Sequence, residues 1–241
     1  LISCSVDKTE LYDLKCEALN NPLGIDNTLP HLSWKIKPSR SEAKQKAWQI
    51  LAATNESWLN EDKADLWNSQ KTESDQSIWV SYAGKELSSR SLVYWKVRIG
   101  DENGNVSDWS PTAHFSVGLL SDSDWEAVYI GGDFPDQDAE SPLFRKTFNW
   151  SSDNDKTLLH VNSLGYHEVY INGEKVGDAV LSPAVSQPDK RSLILTYDVA
   201  EYLKEGENEL VLWLSKGWYR KMATLDVVAG GPYVRAQLES L

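Results

Sequence analysis

Carboxylates are the most numerous reactive groups in this chain, 36 Asp and Glu in 241 residues, and paired carboxyls are the usual apparatus of general acid–base chemistry. Their spacing sorts no such pair from the rest, so no catalytic residue is assigned. The four histidines, His31, His114, His160 and His167, are scattered over alternating segments without metal-ligand spacing. His160 and His167 flank one turn and could meet, but satisfied structural histidines are the favoured reading. Two cysteines, Cys4 and Cys16, are too few for a disulfide framework or a thiolate metal site. Cys16 is read as a small buried apolar residue, and neither a metal nor a cofactor is expected. Gly217-Trp218-Tyr219-Arg220 is different. Two large rings and a guanidinium follow a strand end, where ring faces stack on sugars and Arg hydrogen-bonds hydroxyls. Trp218, Tyr219 and Arg220 are therefore the candidate carbohydrate contacts, with packing of Trp218 in the core or against a further domain as the competing and preferred assignment.

Two other groups of polar residues have plainer readings. The run Asp101-Glu-Asn-Gly-Asn-Val-Ser-Asp108 carries carboxylates that suggest calcium. However, its spacing is wrong for a helix-loop-helix site, and Asn103-Gly104 is a turn dipeptide, so a hairpin loop is expected. Asn55, Asn105 and Asn149 each begin an N-glycosylation pattern, which would be idle if the chain is bacterial.

The totals limit the partners. A net charge of -12 argues against nucleic acid, whose affinity comes from neutralising phosphates with Lys and Arg. Hydrophobic residues make up 41 %, with no apolar run long enough to cross a bilayer. Eleven Trp and ten Tyr against four Phe suit half-buried positions and sugar stacking alike; for any single ring, core packing is the stronger reading.

The elements that must position these groups are strands. Leu164 to Asp178 contains the clearest signal: His167, Val169 and Ile171 alternate with Glu168 and Tyr170, and Asn172-Gly173 turns the chain back. Asn-Gly accepts positive φ at both central positions of a type I′ turn, so the spacing predicts a two-residue hairpin. Counting outward puts Val169 opposite Val176 on a buried face and Tyr170 opposite Lys175 on a wet one. From residue 11 to 118, Leu32/Trp34/Ile36, Trp48/Ile50/Ala52 and Val93/Trp95/Val97/Ile99 repeat with period two between turn-formers. That pattern predicts a sandwich of roughly seven strands, of the immunoglobulin or fibronectin type III kind. A polar joint follows, with a boundary near 119. Residues 119–241 read as further short strands, starting at Trp125–Gly131 and including Leu143–Trp150, Leu158–Ser163, Leu193–Tyr197 and Glu209–Ser215, in a galactose-binding-like jelly roll. The whole is all-β, two β-sandwich domains. Tyr233 to Leu241 alternates like a strand interior, yet no partner strand follows it. An open terminal strand is a liability, so the second domain is expected to be truncated.

Leu1-Ile2-Ser3-Cys4 resembles the lipobox of bacterial lipoproteins. That resemblance implies lipidation of Cys4, residues 1–10 as a tether, and an exported, lipid-anchored protein of the cell envelope, periplasmic or outer-membrane, touching membrane only through its anchor. An arbitrary chain start with a chance cysteine is the alternative.

Several motifs in order resemble the N-terminal region of bacterial α-L-rhamnosidases. In residues 11–118 these are Asn21-Pro-Leu-Gly-Ile-Asp26, Leu32-Ser-Trp34, Asp65-Leu-Trp67, Tyr94-Trp-Lys-Val-Arg98 and Ser107-Asp-Trp-Ser110. Beyond them come the hairpin stretch, Leu181-Ser-Pro183, Thr196-Tyr-Asp-Val199, Leu203-Lys-Glu-Gly-Glu-Asn208 and Gly217-Trp-Tyr219. The resemblance implies an immunoglobulin-like module followed by a jelly roll, ancillary to an (α/α)₆ barrel that hydrolyses terminal α-L-rhamnosyl linkages with inversion. Inversion needs two carboxyls roughly 6.5–9.5 Å apart, and no stretch here matches the family's catalytic motif. The implied partners are a rhamnose-containing glycan, reached through the parent enzyme, and the barrel itself. A stand-alone envelope binding or adhesion module and the sugar-binding domains of a β-galactosidase-like enzyme remain as alternatives.

Overall fold

The computed structural model describes residues 9–131, 141–151, 156–187, 190–217, 219 and 231–240. The chain divides into two units, Leu1–Leu120 and Ser121–Leu241. Cys4, Trp218 and Arg220 lie outside the described residues.

The first unit contains β1 (Glu10–Cys16), β2 (His31–Lys37), β3 (Gln45–Ala53), β4 (Trp67–Asn68), β5 (Thr72–Glu73), β6 (Val80–Ser81), β7 (Leu92–Asp101) and β8 (Ala113–Ser116). They form a three-stranded sheet, β1-β2-β6, and a five-stranded one, β4-β3-β7-β8 with β5 also on β3. The alternation read from sequence is what closes the sandwich. Leu32 and Trp34 of one sheet bury against Ile50, Val93, Trp95 and Val97 of the other. Edge-on rings continue the core, Trp34 to Trp48 at 6.2 Å, Trp48 to Trp67 at 6.3 Å and Trp67 to Tyr82 at 5.3 Å. Cys16 is buried and free. β3 departs from simple alternation, because Gln49, Leu51 and Ala53 are buried as well as Trp48, Ile50 and Ala52. Leu59, Ala64, Tyr94 and Trp109 cover its second face. The loop after β7 is a turn held by its own side chains: the Asp101 carboxylate accepts from the Asn103 and Asn105 amides at 2.9 and 2.8 Å.

The second unit contains β9 (Ile130–Gly131), β10 (Leu143–Trp150), β11 (Thr157–Leu164), β12 (Tyr166–Ile171), β13 (Glu174–Lys175), β14 (Ile194–Asp198), β15 (Gly206–Ser215) and β16 (Tyr233–Ser240). Two four-stranded sheets, β10-β15-β12-β13 and β14-β11-β16-β9, enclose a core of Leu159, Val161 and Val234 from one and Val169, Ile171, Leu212 and Leu214 from the other. The hairpin has the expected turn and register. Asn172 and Gly173 have φ of 53° and 85°, Tyr170 pairs with Lys175, and Val169 and Val176 are buried.

Two expectations are corrected. Tyr233–Ser240 is not an open strand: it pairs with β11 over its whole length and with β9 at its start. Its partners precede it in sequence, since strand order in this sandwich is not chain order. The strand expected over Trp125–Gly131 pairs only at Ile130–Gly131. The residues before it form a strap on β16, where Gln237 accepts from the Glu126 and Ala127 amides at 2.7 and 3.2 Å and donates to the Asp124 carbonyl at 3.0 Å. Arg235 lies over the Trp125 and Tyr129 rings, 4.2 and 4.8 Å from their centroids.

Candidate functional site

On the second unit the outer faces of the two sheets differ. β11 is buried on both sides, its outward His160 and Asn162 included. Asn162 is held by Tyr129, by the Ser192 hydroxyl at 2.9 Å and by the Leu193 carbonyl at 2.9 Å. The outward face of β10-β15-β12 is open. Because Leu212 and Leu214 point into the core, Trp213 between them must point out, and it is 47 % exposed. Register then sets its neighbours: Glu168 of β12 and Leu143 of β10 both stand opposite Trp213.

A pocket of about 380 Å³ opens on this face, lined by Ser141, Tyr166, His167, Glu168, Leu181, Trp213, Leu214 and Ser215. That volume lies within the usual range for small-molecule sites. The Glu168 carboxylate accepts from Lys175 Nζ at 2.6 Å and from the Tyr170 hydroxyl at 2.7 Å. Those bonds, the lysine's first, hold its pKa below the ordinary value, so it is an ionised acceptor at neutral pH. His167 forms part of the floor. Its Nδ1 is 2.7 Å from the Ser163 hydroxyl and its Nε2 3.0 Å from the Tyr197 hydroxyl, and burial pushes its pKa down to about 4. Glu168 is the one carboxylate among the described lining residues, whereas an inverting displacement at a sugar requires two. Among the described residues no group of three or more His, Cys, Asp or Glu could hold a metal ion.

The segment singled out from sequence begins at the edge of this pocket. Gly217 has φ of 50°, and a Cβ there would sit 2.9 Å from the Tyr166 ring, which explains the glycine: only a residue without a side chain lets the backbone lie on that ring. Tyr219 lies edge-on to Tyr233, with centroids 6.5 Å apart. Burial, with Tyr233 and Tyr129 nearby, raises its phenol pKa. The two other histidines also have partners. His31 Nδ1 is 3.1 Å from Glu17, and the His114 ring lies 6.0 Å from that of Tyr94. His160 and His167 do not meet, because their partners are separate: His160 Nδ1 lies 2.9 Å from the Thr196 hydroxyl. Trp213, Glu168, Tyr166 and Leu181 were not among the sequence candidates. One signal was available: a tryptophan at the wet position of a Leu-Trp-Leu alternation.

An immunoglobulin-like sandwich followed by a jelly roll with a ring-lined outer face defines a class of paired β-sandwich modules. Residues 11–121 match the Rha78A-like N-terminal immunoglobulin domain, and residues 152–239 match the α-L-rhamnosidase N-terminal domain. Among curated relatives, an α-L-rhamnosidase of Formosa agariphila is 35 % identical over 252 residues, covering 92 % of this chain and 26 % of the relative. One from Alteromonas sp. (strain LOR) is also 35 % identical, covering 90 % and 25 %. The solved α-L-rhamnosidase of Dictyoglumus thermophilum matches with a TM-score of 0.83 and 31 % identity, over 95 % of this chain and 27 % of that one. The enzyme of Aspergillus terreus matches with a TM-score of 0.79 and 28 % identity, over 95 % and 27 %. The chain carries the two N-terminal domains of α-L-rhamnosidases and corresponds to the N-terminal region of rhamnosidase-like proteins. It spans about a quarter of the length of the curated relatives it matches.

Proposed function

We propose that these two sandwiches are the ancillary, substrate-recognising region of an inverting α-L-rhamnosidase whose catalytic helical barrel lies outside residues 1–241. The observation that carries the reading is the ordered match of both domains to the N-terminal domains of relatives about four times as long. The pocket agrees with a binding role, since its described lining residues include one carboxylate where inverting hydrolysis uses two. In this reading the glycan is a rhamnoside, and Trp218, Tyr219 and Arg220 meet it or the barrel. Cys4 carries a lipid that places the enzyme at the cell envelope.

Hydrolysis of an aryl α-L-rhamnoside tests the division of labour. The 241-residue chain alone is expected to be inactive, and the product extended through the following several hundred codons active. Turnover by the chain alone, or an inactive extended product, overturns the proposal. Mass spectrometry of the protein from its native host tests the anchor; an unmodified Cys4 thiol removes it.

A further inference from the structure

The open face of β10-β15-β12 carries an arrangement that the family assignment does not explain. Trp213 stands half-exposed between Leu143 and Glu168 across three adjacent strands. An indole at the wet position of a strand is poorly placed for the core it belongs to, but presents a flat π-face to whatever enters the pocket beside it. Leu181, on the opposite chain segment, is 72 % exposed and has φ of 52°. A bulky side chain in the left-handed region is a backbone outlier, and such outliers concentrate at ligand clamps. The two apolar groups and the Tyr166 ring line the pocket together with the hydroxyl-bearing Ser141 and Ser215.

Charge decides what the pocket accepts. Its one ionic lining group is Glu168, and Lys175 neutralises it at 2.6 Å. On the same face Arg145 and Glu209 pair with each other. Among the described lining residues phosphate or another anion would find no unpaired cation, and an amine would find a carboxylate already matched. Each Glu168 oxygen, having accepted one bond, keeps a second lone pair for a hydroxyl donor. A flat apolar ring beside an acceptor with spare capacity, in a lining whose one described ionic group is already paired, fits a neutral polyhydroxylated ring.

We infer that this pocket is a saccharide-binding site, in which a neutral sugar ring stacks on Trp213, donates hydroxyl hydrogen bonds to Glu168, and is confined by Leu181 and Tyr166. The site does not depend on catalysis elsewhere in the protein.

Titration calorimetry of the 241-residue chain with L-rhamnose, methyl α-L-rhamnoside, D-galactose and cellobiose tests it. At least one of these sugars is expected to bind with a dissociation constant below 10 mM, on the order of the weak affinities stacking sites give. Trp213→Ala should weaken that binding at least tenfold, Trp213→Phe less than threefold, and Glu168→Gln by an intermediate factor. Trp213 is half-exposed, so a thermal melt close to that of the parent chain is expected for each variant, and Trp213→Phe reports on the site even if the alanine variant fails to fold. No binding by any of the four sugars overturns the inference. Binding that survives Trp213→Ala also overturns it and relocates the contact, for instance to residues 218–220, while leaving the proposed ancillary role intact. A dimer in sedimentation that Trp213→Ala disperses, without sugar binding, would make this face a protein interface instead.

Discussion

The imidazole of His167 is fixed between two hydroxyls, Ser163 at 2.7 Å on Nδ1 and Tyr197 at 3.0 Å on Nε2. Both ring nitrogens are satisfied in the neutral form, and burial drives the histidine to about 4 and the Tyr197 phenol up to about 12. A histidine depressed below its unfolded value of 6.5 stabilises the fold fully above that pH. This contribution is lost as pH falls from 6.5 toward 4, because the unfolded chain takes up the proton first. A shift of that size corresponds to about 3 kcal/mol at most. Urea unfolding monitored on the second unit should therefore show a loss between pH 7 and 4.5 that is smaller in His167→Gln. An equal loss in both proteins would show that His167 titrates normally.

The hairpin turn is held by more than its backbone. Asn172 Nδ2 donates to the Asn208 side chain at 2.8 Å and the Tyr202 carbonyl at 2.9 Å, while its Oδ1 accepts from the Glu209 amide at 3.0 Å. Asn172→Gly keeps the positive φ and loses only the side-chain bonds, for a cost of about 1 kcal/mol. Asn172→Ala adds backbone strain and should cost about 2 kcal/mol. The order of the two urea midpoints, at unchanged slope, is the check.

Gln237 ties the strap to β16 through the Glu126 and Ala127 amides. Gln237→Leu should speed hydrogen exchange at those two amides at least tenfold, while the amides of β11 keep their protection. Arg235→Lys should loosen the same strap, because an ammonium replaces the planar guanidinium stacked on Trp125 and Tyr129, at a cost of about 1 kcal/mol.

Cys16 is buried, and that burial pushes its thiol up to about 12. The thiolate is the reactive form, so N-ethylmaleimide at pH 8 should leave the Cys16 peptide unmodified in the native protein and label it fully in urea. Labelling in the native state would show that β1 opens.

In the first unit, alternation at Leu32/Trp34 and Val93/Trp95/Val97 named the buried faces correctly, because a half-buried strand repeats every two residues whatever it packs against. It missed the second covered face of β3, which depends on Leu59 folding back from the turn just after the strand and on Trp109 arriving from beyond β7. The Asn172-Gly173 turn was legible for a similar local reason: the positive φ is a property of those two residues. The pairing of β16 was not, since β11 lies about seventy residues earlier and nothing in either strand names the other.

By itself the sequence determined the all-β class, the hairpin and its register, and the family, because period, turn chemistry and ordered motifs are written in consecutive residues. Only the tertiary structure decided which outer face stays open and which neighbours Trp213 meets. Those depend on register between strands far apart in the chain, and on a strap that covers one sheet of the second unit, whereas the face carrying Trp213 stays open.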